Sequence, residues 1–548
     1  MYFVGMDESD APQIEVRNID HLGIVAGIVD EIGLVEDVDH LLGTHSQERV
    51  SPGQALKAMI LNGLGFVSAP LYLFEEFFVG KATEHLIAPG VTPEHLNDDR
   101  LGRVLDKFFE ADPSRIFVEV ALRAAQHFGV RTESVHLDAT SFHLHGKYAY
   151  DEHQEEEPAA VHITHGYSRD HRPDLKQFVV DLMESGDGGV PLFLRVADGN
   201  EADRATFAKL ASDFKARLDF DALFVADSAL YSAEELSTLS HLRWLCRVPA
   251  TIKEARTLLQ EVPEENFTTK SAPEGYRLAE VRSDYGGIEQ RWVVVESHER
   301  DKAQKERFEK KLDELDERFE RRMRELRHRR FNCEADARKA LDTFGKKLGS
   351  YHQLTEEETI PIRGYHRPGR PTKGQEPGVM GYRVEATLAR DEEEIVLARR
   401  RSGRFILATN VLDSEQLGKE VLLAEYKAQG KVERGFRFLK DPLFFTASVF
   451  VKSPKRVAAI AMVMGLCLLV YALGERALRR ALEEASATVR HQSGKPTDRP
   501  TLRWLFQLFQ AVHLLNVDGI KQIANLTEER ERILGFLLPG CRRYYLLQ

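Results

Sequence analysis

An α/β core, interrupted by a mixed β/helical insertion and flanked by helical N- and C-terminal regions, is the fold class this 548-residue sequence predicts. Three observations predict it. Between Ser134 and Val248, short apolar runs and helical patterns follow one another as strand, strand, strand, helix, strand, helix, strand. Before Val130 and again after residue 416, apolar residues recur at helical spacing instead. From about 251 to 415, two strand-like runs bracket a long charged amphipathic helix. The strand and helix order of the core is that of a ribonuclease-H-like domain, an architecture that does not by itself dictate function.

Residues 1–16 read as a tail and 17–132 as an all-helical N-terminal domain, a candidate for DNA binding by analogy. There Ala55, Met59, Ile60 and Leu64 keep helical spacing after the start signal Ser51-Pro52. The first part of the core, 133–250, has strands at Ser134–Asp138, Gln177–Leu182 and Pro191–Val196. A helix over Glu201–Leu218, a strand Phe224–Asp227, a helix Ala233–Leu242 and a strand Trp244–Val248 follow.

The insertion, 251–415, has strand patterns at Gly287–Val295 and Tyr382–Leu388. Between them Phe308, Leu312, Leu315, Phe319, Met323 and Leu326 recur at steps of three and four, one arm of a helical hairpin ending near Leu348. A solvated structural arm is the plain reading of it, and a dimer contact the functional one. After the strand Arg404–Thr409, residues 416–480 complete the core with a helix over 416–440. The C-terminal region, 481–548, reads as helical, including Trp504–Leu515 and Ile520–Leu537.

Composition excludes several classes. With 43% hydrophobic and 30% charged residues the chain reads as globular and soluble, and its length implies roughly three or four domains. No basic-then-apolar leader pattern opens it. The four cysteines Cys246, Cys333, Cys467 and Cys541 form no CxxC pair, which argues against a zinc or disulfide framework and for a reducing cytoplasm. Val457–Gly474 is an 18-residue run without charge, at the lower limit for a membrane span, and reads as a buried core helix. The net charge of −12 is unlike a nucleic-acid binder. Locally, however, residues 417–456 carry nine Lys/Arg against four Asp/Glu.

Three carboxylates stand out. Asp138 ends the run Val135-His136-Leu137, Asp227 ends Phe224-Val225-Ala226, and Glu433 lies in the basic helix within Tyr426-x2-Gln429-x3-Glu433-x6-Lys440. For one Asp ending an apolar strand, a cap or turn role is the usual explanation. Three acids gathered by a fold would repel one another unless divalent cations lay between them. Two such ions can activate an attacking oxygen and stabilise a leaving one in phosphodiester chemistry. On one helix, Tyr426, Glu433, Arg437 and Lys440 share a face.

These motifs resemble the DDE transposases of bacterial insertion sequences, in the cut-and-paste branch whose last Glu lies in Y-x2-R-x3-E-x6-K. Tyr426, Glu433 and Lys440 match that pattern, and Gln429 replaces its Arg. The segment His165-Gly166-Tyr167-Ser168-Arg169-Asp170-His171-Arg172-Pro173-Asp174-Leu175-Lys176-Gln177 is similar to the family's stretch after the first Asp. Asp198-Gly199-Asn200 and Thr409-Asn410 match shorter pieces. The resemblance covers roughly 130 to 460. It implies that Asp138, Asp227 and Glu433 bind two Mg²⁺ ions, with Mn²⁺ able to substitute. It also implies cleavage of the inverted repeats of the protein's own element and joining to target DNA, by a homodimer in a synaptic complex in the bacterial cytoplasm, with no membrane.

The same resemblance gives Tyr426, Gln429, Arg434, Arg437, Lys440, Arg169 and Lys176 a DNA-contacting role. It offers Trp292 as a stacking platform for a flipped base and Arg367 and Arg370 of Arg367-Pro368-Gly369-Arg370-Pro371 as minor-groove contacts. A buried strand Trp and a flexible basic linker are the competing readings of these two. His136, Asp138, His143 and His145 invite a zinc-hydrolase reading, which leaves Asp227 and the Tyr426-to-Lys440 pattern unexplained. Two further readings stay open: a ribonuclease-H-like structure-specific nuclease, and a DNA-binding derivative without catalysis.

Overall fold

The computed structural model describes residues 13–66, 69–145, 148, 161–167, 172–201, 211–212, 215, 221–268, 273–365, 376–441 and 453–547. The chain forms two compact units, one from Met1–Leu245 with Ala424–Gln548 and the other from Cys246–Leu423.

The first unit opens with strand β1 (Ile14–Asn18), followed by helices that include Leu22–Ile32, Pro52–Gly63, Asp98–Glu110 and Pro113–His127. Ser51 caps the second of these in a reciprocal box with Gln54, as its Ser-Pro start predicts. Its sheet comprises β2 (Ser134–Leu144), β3 (Lys176–Ser185), β4 (Pro191–Ala197), β5 (Leu223–Ala226) and β6 (Arg243–Val248), in the order β4-β3-β2-β5-β6. β2 runs antiparallel to β3, β3 antiparallel to β4, and β2 parallel to β5. The central strand β2 is buried along almost its whole length, the polar Ser134, His136, Thr140 and Ser141 included. The expected helix over Glu201–Leu218 falls largely outside the described residues.

In the second unit, β7 (Tyr276–Ser283) and β8 (Gln290–Ser297) are antiparallel neighbours. A separate ribbon pairs β9 (His352–Gly364) with β10 (Gly378–Arg390), and β11 (Arg404–Thr409) joins β8. The hairpin arms are the helices His298–His328 and Glu334–Gly345. Their apolar stripe, including Phe319, Met323, Leu341 and Phe344, packs on Val384 and Ala386 of β10. The sequence reading missed β7 and β9. β9 carries Glu356, Glu357, Glu358 and Pro361, which hide any alternation, and its ladder shifts register opposite Glu385 and Thr387, where Glu356 has a φ of 53°.

The rest of the first unit corrects two expectations. The C-terminal region is not wholly helical: short strands β12 (Val489–Arg490) and β13 (Pro496–Thr497) pair, as do β14 (His513–Val517) and β15 (Ile520–Ala524). Helices remain at Leu502–Leu508 and Glu528–Leu534. The missed signal is Asp518-Gly519, whose φ values of 49° and 86° make the tight two-residue turn that an Asp-Gly pair favours. β1 then pairs with β14, so residues 14–16 belong to a sheet rather than to a tail, and the N-terminal part is not all-helical.

The helix Pro454–Glu484 contains the uncharged run. Its most apolar stretch is 94% buried within the protein, so its surface is covered by protein rather than lipid. Arg476 fastens this helix by donating to the carbonyls of Phe128 (2.9 Å) and Gly129 (2.8 Å) and to Asp187 (2.6 Å).

Candidate active site

The register of two parallel strands sets the positions of two acids. Ser134 is level with Leu223, Val135 with Phe224 and His136 with Val225. The same register, continued two places past the last of these pairs, sets Asp138 level with Asp227. Asp138 is half-buried in β2, its Oδ1 accepting a hydrogen bond from the Ala139 amide at 2.8 Å. Asp227 is exposed, one residue beyond the end of β5.

Side chains two apart on a strand share a face, so Ser134, His136, Asp138, Thr140 and Phe142 form one row. Across the ladder His136 is level with Glu184, and Phe142 with Phe178, whose rings stack at 5.4 Å. Beneath Asp138, the fully buried His136 brings its Nε2 to 3.7 Å from Glu425 Oε2. His136 was singled out in the sequence, but the half-buried Glu425 beside it and the buried Glu184 were not. The available signal was polar residues at alternate positions in otherwise apolar strands.

Glu433 lies on the helix Gly430–Leu439, which packs by Phe436 and Leu439 into the core of the first unit. Gly435 lets this helix approach the sheet. A Cβ there would fall 2.2 Å from Glu184 Oε1 and 3.2 Å from Leu468 Cδ2. Two turns after Glu433 on the same stripe, Lys440 places its Nζ 5.6 Å from the centre of the Phe142 ring, in the row of Asp138. Glu433, Arg434 and Arg437 are exposed.

Among the described residues no three His, Cys, Asp or Glu side chains form a group that could hold a metal ion. Asp138 thus lies in β2 and Asp227 just past the end of the neighbouring β5, and among the described residues neither Glu433 joins them in a metal-holding group nor do His136, His143 and His145 form one. Carboxylate oxygens are the donors that hard divalent cations take, so Asp138 and Asp227 have the right chemistry for such an ion.

The expected single helix over 416–440 is two, Lys419–Ala428 and Gly430–Leu439, parted at Gln429 where a glycine follows. Tyr426 is therefore on the preceding helix, half-buried. Lys176 is engaged within the fold, its Nζ donating to the Tyr148 carbonyl at 2.5 Å. Trp292 corrects the base-stacking expectation. It is 3% exposed in β8, with its indole N–H donated to Gln290 Oε1 at 3.1 Å, because the paired strands β7 and β11 flank it on a buried ladder. Arg169, Arg367 and Arg370 lie outside the described residues.

The quoted motif pieces around Gly166 and Gly199 meet in space. A Cβ on Gly166 would come 1.9 Å from the Gly199 carbonyl oxygen, so only glycine permits this approach. Gln177 Nε2 fastens it by donating to the carbonyls of Gly199 (2.7 Å) and Tyr167 (3.2 Å).

The family described as Transposase DDE domain matches residues 133–470, and a Domain of unknown function (DUF4277) matches residues 14–122. No curated protein matches the chain. A solved structure described as a piggyBac transposase synaptic complex with hairpin DNA is similar at 8% identity and a TM-score of 0.38, over 96% of this chain and 89% of that one. At that score the likeness carries no argument.

Proposed function

Since the match over residues 133–470 covers more than half of its length, the chain belongs to the transposase DDE domain family, a DNA-cleaving transposase, and we propose that Asp138, Asp227 and Glu433 are its catalytic acids. The observation that carries this reading is that β2 and β5 are parallel neighbours, with Asp138 in the first and Asp227 following the second. We read the sheet as a ribonuclease-H-like core. Its order β4-β3-β2-β5-β6, with three antiparallel strands followed by a strand parallel to the first, supports that reading.

The family's chemistry depends on a divalent metal, and the proposed ions are two Mg²⁺, with Mn²⁺ as substitute. When bound, such ions supply an activated attacking oxygen and stabilise the leaving one. The protein's part is positioning. Strand β2 fixes the Asp138 carboxylate through the Ala139 amide, while β5 delivers Asp227 at its open end. Gly435 sets how closely the Glu433 helix lies against the sheet. The exposed Arg434 and Arg437, with Lys440, meet backbone phosphates, which gives affinity and register without reading sequence.

The substrates in this reading are the inverted repeats of the protein's own insertion sequence and a target DNA, joined by a homodimeric synaptic complex in the bacterial cytoplasm. The test is incubation of the purified protein with DNA carrying those ends, with and without Mg²⁺. Metal-dependent cleavage leaving a 3′-OH, followed by joining, is the expected result. Cleavage without joining would make the protein a nuclease, and binding alone would overturn the catalytic reading.

A further inference from the structure

The helical hairpin of the second unit separates its charges. Over residues 298–317 it carries six Lys/Arg and eight Asp/Glu, whereas residues 318–347 carry eleven Lys/Arg and five Asp/Glu. The two halves also differ in what the charges do. In the first half, acids are tied into the fold: Glu309 pairs with Arg399 at 2.9 Å, and Asp313 and Asp316 pair with Arg390 at 2.9 and 2.5 Å. Those partners hold the carboxyls of Glu309 and Asp316 below their ordinary range, as expected of a structural network.

The second half has a different character. The hairpin arms border an open cleft of about 790 Å³ lined by the exposed cations Arg322, Arg329, Arg330, Lys339 and Lys347. Two acids, Glu325 and Asp336, share that lining. Arg330 also donates to the Met380 carbonyl and Arg329 lies 5.1 Å over the Phe331 ring, so two of the five are braced. Arg322, Lys339 and Lys347 make no ion pair among the described residues. The aromatic rings nearby, Phe331 and Phe344, are buried, which leaves no exposed stacking platform there.

Clustered cations in a chain of net charge −12 repel one another and weaken the fold unless an anion meets them. We propose that this cleft is a second DNA-contacting surface, holding the sugar–phosphate backbone of one strand without reading its bases. The spread of cations along both arms of the hairpin and the segments that follow them fits a row of phosphates rather than one compact anion, and the absence of exposed rings in the lining fits contact independent of sequence. The transposase reading supplies the identity of the polyanion as DNA.

The experiment measures binding of the full chain to a fluorescein-labelled duplex of about 30 bp and arbitrary sequence across a salt series. Four variants are compared with wild type: Arg322→Ala/Lys339→Ala/Lys347→Ala in the cleft, Lys302→Ala/Lys310→Ala/Lys311→Ala on the first half of the hairpin, Asp227→Ala, and Lys339→Arg/Lys347→Arg. The cleft variant should bind about tenfold or more weakly and lose about 2–3 from the slope of log affinity against log salt. The second variant, of equal charge, and Asp227→Ala should keep the wild-type slope within about 1. Lys339→Arg/Lys347→Arg, with unchanged melting, should bind as wild type. Equal slopes for the two triple variants would overturn the inference and leave the transposase reading intact. A wild-type protein that neither binds nor cleaves DNA would instead sink that reading.

Discussion

Gly435 approaches Glu184 so closely that a Cβ on the glycine would fall 2.2 Å from the carboxylate oxygen Oε1. Glu184 is 1% exposed and level with the buried His136, so it has little room to swing aside. The helix that carries Glu433 two residues earlier therefore rests on the sheet through a missing side chain. Gly435→Ala should shift this helix, costing about 1–3 kcal/mol of stability and lowering DNA cleavage at least about tenfold. Glu184→Ala should restore part of both in the double variant, and strictly additive effects in melting and cleavage assays would contradict the contact.

Burial also predicts a pH dependence of folding. His21 is fully buried, with Nε2 2.8 Å from the Leu64 carbonyl and Nδ1 2.7 Å from Gln510 Nε2, and desolvation lowers its pKa to about 4. The unfolded chain takes up this proton near pH 6.5 and the folded one does not until about pH 4, so stability is lost as pH falls between those values. Urea unfolding of the wild type at pH 5 should show about 2 kcal/mol less stability than at pH 7 from this group. The wild-type difference should shrink by that amount in His21→Gln.

In the second unit, the fully buried Arg291 pairs with Glu280 at 2.8 Å and donates to the carbonyls of Val411 (3.1 Å), Asp413 (3.3 Å) and Leu417 (2.9 Å). Its guanidinium holds the Glu280 carboxyl below the usual range. Arg291→Met would leave the carbonyls of Val411, Asp413 and Leu417 without this donor, at a cost of about 1–3 kcal/mol. Hydrogen exchange over residues 246–423 should accelerate, and unchanged exchange there would contradict the assignment.

Chelation separates binding from chemistry. Excess EDTA should abolish cleavage while the protein still binds duplex DNA, because the phosphate-contacting cations need no metal. Added Mg²⁺ or Mn²⁺ should restore cleavage. Full activity in EDTA would remove the metal from the account.

How far the sequence shows the architecture depends on the element. β5 was legible because a central strand buried on both faces is written as an apolar run, here Leu223 to Ala226 with Asp227 following, and β2 because Val135, Leu137 and Ala139 alternate with polar residues. The C-terminal hairpin was not, because Leu514, Leu515 and Ile523 also fit helical spacing and only Asp518-Gly519 reveals the turn. Trp292 misled for a related reason. A strand aromatic looks alike in sequence whether it faces solvent or a ladder, and burial is decided by the neighbouring strands β7 and β11, the second of them far from it in the chain. The Glu433 pattern was visible as spacing, but its seat on Glu184 depends on a contact between residues far apart in sequence.

The most direct test of the proposed acids is single-turnover cleavage of DNA ends by Asp138→Ala, Asp227→Ala and Glu433→Ala, with DNA affinity measured alongside. Each variant should lose about a thousandfold or more in cleavage rate while binding as wild type, since the acids serve chemistry rather than affinity. Wild-type cleavage by any one of the three would contradict the assignment of that residue, and with it the claim that these three carboxylates act together.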